Sequence, residues 1–262
     1  MEDNLRLIAT TTFGLEGVVK EEVRDLGFKD MTVNNGEVRF SGNWKTLCKA
    51  NMWLRCAERV LLQMGEFEAY DFDQLYEKTK ALPWSELLPC NAEFPVQGSS
   101  VKSKLHSVPT CQSVVKKAIV DNMKEKYNRE WFDEDGPLYQ IKVSLYKDTA
   151  TLTIDTSGSG LHKRGYRDLT TGAPLQETIA AGMIYLSRWK KDRILIDPFS
   201  GSGTIPIEAA LMGKNIAPGL HRNFDAERWP NIPDSIWNDV RKEAEESIYR
   251  DKEPRLIMGT DI

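Results

Sequence analysis

The stretch Arg193-Ile-Leu-Ile-Asp-Pro-Phe-Ser-Gly-Ser-Gly-Thr204 decides how the rest of this chain is read. Ile194-Leu-Ile196 is an apolar run short enough for a buried parallel strand. Asp197 stands at its C-terminal end. Gly201 and Gly203 permit a tight turn with no Cβ in the way, and Thr204 to Leu211 continues as a helix. Strand, glycine turn and helix N-terminus in this order place backbone N–H groups at the carboxyl edge of a sheet. Open α/β folds bind ligands at that edge, and the amides favour an anion.

Three ligand classes compete for such a loop. A P-loop requires a lysine after its second glycine, and none follows here. A dinucleotide fingerprint requires a third glycine where Pro206 stands. S-adenosylmethionine meets neither objection. Its methionine carboxylate can take the loop amides, and Asp197 can attract its ammonium group directly or through water. The plainer reading is a glycine turn that does no more than pack a helix on a strand. A second strand, Arg255-Leu-Ile-Met-Gly-Thr-Asp-Ile262, also carries an acid at its end. Asp261 there is either a solvated strand end or the acid that takes ribose hydroxyls, as in dinucleotide folds. The two acids are 64 residues apart, well beyond the roughly 20 of a minimal dinucleotide unit, so 214–254 reads as an insertion.

Working outward toward the N-terminus, Pro174 opens a helix from Leu175 to Trp189, as proline at a first helical position does. Ahead of it lie a flexible punctuation, Ser157-Gly-Ser-Gly160, and a basic run, Leu161-His-Lys-Arg-Gly-Tyr-Arg167. A domain boundary is expected around 156–170. The first 65 residues alternate between strand and helix patterns. There is a strand at 5–11, a helix from Gly14 to Leu26 stopped by Gly27, and strands at 31–34 and 37–40 around the hairpin dipeptide Asn35-Gly36. A helix over 44–52 behind Asn43 and a strand over 58–64 complete the block. The order β-α-β-β-α-β predicts a ferredoxin-like module. From 66 to 156 the pattern predicts a helix near 71–81, a turn at Pro83, a strand at 92–98, a basic helix at 109–127 and a hairpin at 137–155. The turn of that hairpin falls near Lys147-Asp148. The remaining residues, 157–262, open an α/β domain. The expected class is therefore an α+β front end followed by the start of a Rossmann-like domain.

Composition narrows the function classes. The chain has 262 residues, 40% apolar and 28% charged, as in ordinary globular proteins. No apolar run is long enough to span a membrane, and the acidic N-terminus lacks the layout of a signal peptide, so a cytoplasmic location is expected. The four cysteines form no C-x-x-C pair and the three histidines lie far apart, so reduced thiols and no metal site are expected. Net charge is −4, which counts against a broadly basic nucleic-acid binder. Phosphate attraction is local, however. Residues 102–129 carry Lys102, Lys104, Lys116, Lys117, Lys124, Lys126 and Arg129 against two acids. The alternative for this basic helix is an ordinary solvated face, with its lysines screened by salt.

Asp197-Pro-Phe-Ser-Gly-Ser-Gly-Thr-Ile-Pro-Ile-Glu-Ala-Ala210, with Leu161–Arg167, Ala173–Ala181 and Asn215-Ile-Ala-Pro-Gly219, closely resembles the THUMP-containing ribosomal RNA guanine-N2 methyltransferases. The front half resembles that family's ferredoxin-like module, here 1–65, and its THUMP domain, here 66–156. The resemblance implies that Asp197, Ser200, Gly201, Ser202, Gly203 and Asp261 line S-adenosylmethionine, with Pro174, Leu175 and Glu177 flanking it. It implies that Lys163, Arg164 and Arg167 sit near the mouth, meeting RNA phosphate or ordering the loop. A solvated linker is the alternative for that run. It further implies a methyl transfer to N2 of a guanine in large-subunit ribosomal RNA, with transfer RNA as the other candidate. The family's Asn/Asp-Pro-Pro-aromatic motif has no counterpart here, since the sequence contains no Pro-Pro pair. The catalytic residues are accordingly expected beyond Ile262, in a longer parent, and this portion is not expected to methylate unaided. Rival readings are a noncatalytic RNA-binding module with a vestigial loop, and a methyltransferase for a small molecule or protein. The long front end argues against the last.

Overall fold

Alternation in Leu5-Arg-Leu-Ile-Ala-Thr-Thr11 buries Leu5, Leu7 and Ala9 while Arg6 faces solvent, and the segment forms strand β1 (Leu5–Thr11). The computed structural model describes residues 4–167, 174–250 and 253–261. Helix α1 (Glu16–Asp25) follows, with Val19 and Val23 buried. The hairpin of β2 (Thr32–Asn34) and β3 (Glu37–Gly42) turns at Asn35-Gly36, where Gly36 has a φ of 75°. Asn43 caps α2 (Trp44–Trp53) by accepting the Thr46 N–H at 3.0 Å, and Thr46 Oγ1 returns the bond to the Asn43 N–H. With β4 (Ala57–Glu68) the strand order is β2-β3-β1-β4. This is the ferredoxin-like arrangement that the pattern predicts.

Packing divides the chain into two compact units. The first takes in the described residues of 1–60, 159–224 and 233–262, and the second those of 61–158 and 225–232. The expected first and third blocks thus fall largely within one unit.

In the second unit the latter part of β4 pairs with β7 (Thr149–Asp155), antiparallel, with a bulge between Gln63 and Gly65. Strand β6 (Gln140–Tyr146) pairs antiparallel with β7 and parallel with β5 (Val96–Val101). The parallel pair needs a crossover, which α5 (Val108–Tyr127) supplies. The other helices are α3 (Phe72–Lys80), capped by Asp71, and a single turn, α4 (Trp84–Leu87). Strand β5 begins later than the expected 92–98. Pro95 has no N–H for the ladder, so Glu93 makes an isolated bridge to Leu138 before pairing resumes at Val96. A buried layer of Ile141, Val143, Leu145, Ala150, Leu152 and Ile154 forms one face of this sheet.

In the first unit, α6 (Glu177–Leu186) is shorter at both ends than the expected 175–189. Gln176 is extended (ψ 139°), which leaves Pro174 and Leu175 as chain leading into the helix. Arg188 takes a left-handed φ of 55° and donates its N–H to Tyr185 O, which closes the helix before Trp189. Strand β8 (Leu195–Asp197), helix α7 (Thr204–Gly213) and strand β9 (Ile257–Gly259) realise the expected strand–turn–helix unit, with β8 and β9 parallel. The 214–254 insertion carries a helix, α8 (Asp234–Glu246), which buries Trp237, Val240 and Ala244. No helix among the described residues is long and apolar enough to cross a membrane.

Candidate functional site

The glycine turn is built by its own backbone. Gly201 and Gly203 have φ of 49° and 77°, the left-handed region that side chains strongly disfavour. Gly203 N–H closes the turn on Ser200 O at 2.7 Å. No side chain caps α7, whose N-cap position is Gly203 itself. The parallel register sets Asp197 opposite Gly259. Thr260 N–H donates to Asp197 O and Ser200 N–H to Thr260 O, each at 2.9 Å, so the turn is sewn to the end of the second strand. The two acids face this turn. Asp197 Oδ1 accepts the Phe199 N–H at 3.2 Å, and Asp261 Oδ2 accepts the Gly201 N–H at 2.5 Å. No heavy atom lies within 4 Å of the place where a Cβ on Gly201 would stand, so the space over the turn is open. The structure therefore brings Asp197, Ser200, Gly201, Ser202, Gly203 and Asp261 together.

A second feature lies along the lead-in. His162 to Arg167 and Pro174 to Glu177 line a cavity of about 400 Å³. This cavity gathers Pro174, Leu175 and Glu177 with Lys163, Arg164 and Arg167, and the glycine turn is not among its lining. Helix α7 links the two. Arg167 Nη2 donates to Thr204 Oγ1 on the first residue of α7 at 2.7 Å, and its Nε lies 3.4 Å from Glu177 Oε1. One turn further on, Glu208 Oε1 accepts from Tyr166 Oη at 3.2 Å and from Arg164 Nε at 3.3 Å. Burial, with the carboxylates of Glu208 and Glu177, pushes the Tyr166 hydroxyl well above the usual phenol range, so it stays a donor.

Comparison with known proteins completes the picture. The chain matches an RlmL ferredoxin-like domain over residues 6–61, a THUMP domain over 69–155 and an RMKL-like methyltransferase domain over 164–262. It is 50% identical over 258 residues to YpsC of Bacillus subtilis, named as an RNA methyltransferase, covering 98% of this chain and 66% of YpsC. A crystal structure from Listeria monocytogenes, named as an N6-adenine-specific DNA methylase, is 52% identical with a TM-score of 0.96. That match covers 99% of this chain and 68% of the other. The chain belongs to the THUMP-containing methyltransferase family. It spans a little under two thirds of the length of YpsC, at 66%. A further relative, SMU.472, has a structure complexed with SAH, with 44% identity, a TM-score of 0.94, and coverage of 100% of this chain and 69% of that one.

Within this family member the basic residues divide by direction. Arg164 is 3% exposed. Its guanidinium donates to Leu161 O at 2.7 Å and Arg55 O at 2.5 Å besides Glu208, so it is corrected from an RNA-facing residue to an interior clamp. Arg167 is likewise turned inward, onto Glu177 and Thr204, which fits loop ordering rather than a phosphate contact. Lys163, immediately before Arg164, is exposed. In the second unit Lys116 lies 3.8 Å from the Phe94 ring centroid and 2.5 Å from Glu134, Lys117 lies over Tyr76, and Lys124 pairs with Glu130. Lys102 and Lys104 are exposed beyond the end of β5.

Sequence reasoning missed Arg222. Its guanidinium donates to Gly160 O at 2.7 Å, Lys163 O at 3.0 Å and Ser159 O at 2.5 Å, so Ser159–Gly160 is held rather than loose. Gly165 was also passed over. Its φ is 90°, and an added Cβ would meet His221 O at 2.4 Å. The insertion thus braces the lead-in, a contact that no local pattern announces.

Proposed function

We propose that this chain binds S-adenosylmethionine at the β8–β9 edge, and that the protein methylates RNA at the exocyclic N2 of a guanine in large-subunit ribosomal RNA. The observation that carries this reading is the open turn of left-handed Gly201 and Gly203, lying between two strands whose acids both face it. The amides of Gly201, Ser202 and Gly203 take the methionine carboxylate, favoured by the positive end of α7. Asp197 attracts the ammonium group. Asp261 releases the Gly201 N–H to that carboxylate and turns to the ribose hydroxyls. Ser200 lines the turn, while Pro174, Leu175 and Glu177 flank it. The SAH complex of SMU.472 supports the choice of cofactor. The working domain division is 1–65, 66–156 and 157–262, with Lys102, Lys104, Lys116, Lys117, Lys124 and Lys163 available to RNA.

The cofactor, when bound, supplies an electrophilic methyl on sulfonium. The guanine amine is a poor nucleophile because its lone pair delocalises into the ring. The protein's task is therefore to hold nitrogen, methyl and sulfur in line and to exclude water. Transfer would form the nitrogen–carbon bond as the donor's carbon–sulfur bond breaks, leaving a thioether and an amine proton that is released to solvent once the site opens. A paired base is out of reach, so the target sits in a loop or is flipped.

Calorimetric titration with S-adenosylmethionine tests the first step. The chain is expected to bind it, and Gly203→Val to lose at least about tenfold in affinity, because valine is disfavoured at positive φ. No heat of binding by the unaltered chain would leave the noncatalytic RNA module. Cells lacking the protein test the acceptor. N2-methylguanosine is expected to vanish from one position of large-subunit RNA. Loss of a mark in transfer RNA, or on adenine as the Listeria relative's name suggests, would reassign the acceptor and spare the methyl donor.

A further inference from the structure

At one end of the β5-β6-β7 sheet, three connections are joined around Asp148. Its carboxylate accepts the Lys104 N–H at 2.7 Å, its own N–H donates to Ser103 Oγ at 3.0 Å, and its carbonyl accepts the Ala69 N–H at 2.8 Å. Ser103 Oγ in turn donates to Val101 O at 3.2 Å, and Lys147 N–H donates to the same carbonyl at 3.2 Å. The β6–β7 turn, the loop after β5 and the loop after β4 are thereby one hydrogen-bonded knot. The Asp148 carboxylate is engaged by backbone, and its one negative charge stands among three lysines, Lys102, Lys104 and Lys147.

What the knot presents outward is aromatic and cationic. Tyr146 is 53% exposed, Val101, its partner across the β5–β6 register, is 53% exposed, and Tyr70 is 42% exposed. Lys102, Lys104 and Lys147 are all exposed. Lys104 Nζ lies 4.8 Å from the Tyr70 ring centroid and Lys147 Nζ 5.2 Å from that of Tyr146, so each ring has an ammonium beside it. The Tyr70 hydroxyl donates to Glu68 Oε2 at 2.9 Å, which fixes its ring. Helix α5 differs, since its Lys116 and Lys124 are each paired with a carboxylate of the same unit, Glu134 and Glu130.

Exposed rings interleaved with ammonium groups that no carboxylate pairs are the elements that hold unpaired nucleotides, with bases stacking and phosphates meeting lysine. A duplex hides its base faces. We infer that this knot is a docking platform for a single-stranded RNA segment, with Tyr146 and Tyr70 stacking bases and Lys102, Lys104 and Lys147 taking phosphates. The inference rests on the RNA reading proposed above and adds where in the second unit the RNA lies.

The test is fluorescence anisotropy of the whole chain with a labelled single-stranded RNA of about a dozen nucleotides, the same strand annealed to its complement, and a salt series. Tyr146→Ala is expected to weaken single-strand binding about tenfold and Tyr146→Phe to leave it near wild type, because stacking needs the ring and not the hydroxyl. Lys102→Ala and Lys147→Ala are each expected to lower the salt slope by about 0.7. Lys124→Ala, whose ammonium pairs with Glu130, is expected to lose less than either. The platform is overturned if Tyr146→Ala and Lys147→Ala bind like wild type, if Lys124→Ala loses more than they do, or if the duplex binds as well as the single strand. Cofactor calorimetry on the same variants separates the two proposals. Unchanged cofactor affinity with lost RNA binding supports the platform. Wild-type RNA binding without cofactor binding would sink the methyl-donor reading alone.

Discussion

The two units differ in where their most closely held charges lie. In the first, Glu22, Arg55, Arg164 and Glu208 are all under 9% exposed and closely interlocked. Glu22 accepts the N–H groups of Arg55 and Cys56 at 2.9 and 3.1 Å, Arg55 Nη2 donates to Ile216 O at 2.6 Å, and Arg164 joins Arg55 O to Glu208. In the second unit, cations sit on the surface near rings or single acids. The difference follows from the side chains. A guanidinium offers a planar fork of donors that backbone carbonyls can satisfy away from water, whereas an ammonium is strongly hydrated and stays at the boundary. Buried charges of this kind fix geometry, here the approach of α7 to the lead-in, while exposed ones remain available to a partner.

The sharpest way to break this contrast is to remove one buried partner. Arg164→Ala leaves Glu208 in the interior, where its Oε2 already lacks a hydrogen-bond partner among the described residues. Stranding a buried charge costs about 3–5 kcal/mol. A thermal melt is expected to fall by roughly 10 °C, at about 2–4 °C per kcal/mol for a chain of this size. Replacing Arg164 and Glu208 together by methionine should recover much of the loss, since an apolar pair carries no stranded charge. A drop under about 1 kcal/mol for Arg164→Ala would place the cluster with ordinary surface pairs.

Acid–base behaviour sharpens the contrast next. Burial pushes the Glu22 carboxyl up to about 7, against the opposing pull of the Arg55 and Cys56 amides and the guanidinium groups of Arg55 and Arg164. Between its unfolded value near 4.5 and about 7, the folded chain holds a proton that the unfolded chain has released. Stability therefore falls as pH rises through that window and levels off above it, by about 3 kcal/mol in all. Glu22→Gln is expected to flatten this slope and to be the more stable protein at pH 8. Parallel slopes for the two proteins in melts from pH 5 to 8 would show that Glu22 does not titrate there.

Much of the fold was legible because local patterns carried it. The periodicity of 5–64, the Asn35-Gly36 turn and the Lys147-Asp148 turn all sit where the sequence predicts, the last with φ of 50° and 64°. The glycine turn was legible for the same reason, its requirement for positive φ being visible in two residues. Direction was not legible. Lys163 and Arg164 are adjacent and equally basic in sequence, yet one faces solvent and the other Glu208, because the fork of Arg164 meets carbonyls from Arg55 and Leu161 that are assembled only in the fold. Helix α8 was readable and passed over. Ile236, Trp237, Val240 and Ala244 have helical spacing behind Pro233, inside the segment that reads as an insertion between the two acids. Its role also depends on Phe224, whose ring stacks on Trp237 at 5.2 Å, and on Arg222, which lies over Phe224.

The smallest expected effect concerns an exposed ion pair that the first unit carries beside its buried cluster. Glu243 on α8 bridges Lys45 at 2.6 Å and Lys49 at 2.7 Å on α2, with its own side chain 43% exposed. The two lysines hold its carboxyl below the usual carboxylate range, so any stability it contributes is present above its ordinary value and fades as pH falls toward the lowered one. Water screens the pair and two long side chains must be ordered to make it, so Glu243→Ala is expected to cost under about 1 kcal/mol and less still at high salt. Chemical denaturation at two ionic strengths measures this directly. A loss of several kcal/mol that resists salt would mean that the α2–α8 contact is electrostatic at its centre, and that exposure does not separate the charges that shape this molecule from those it leaves free.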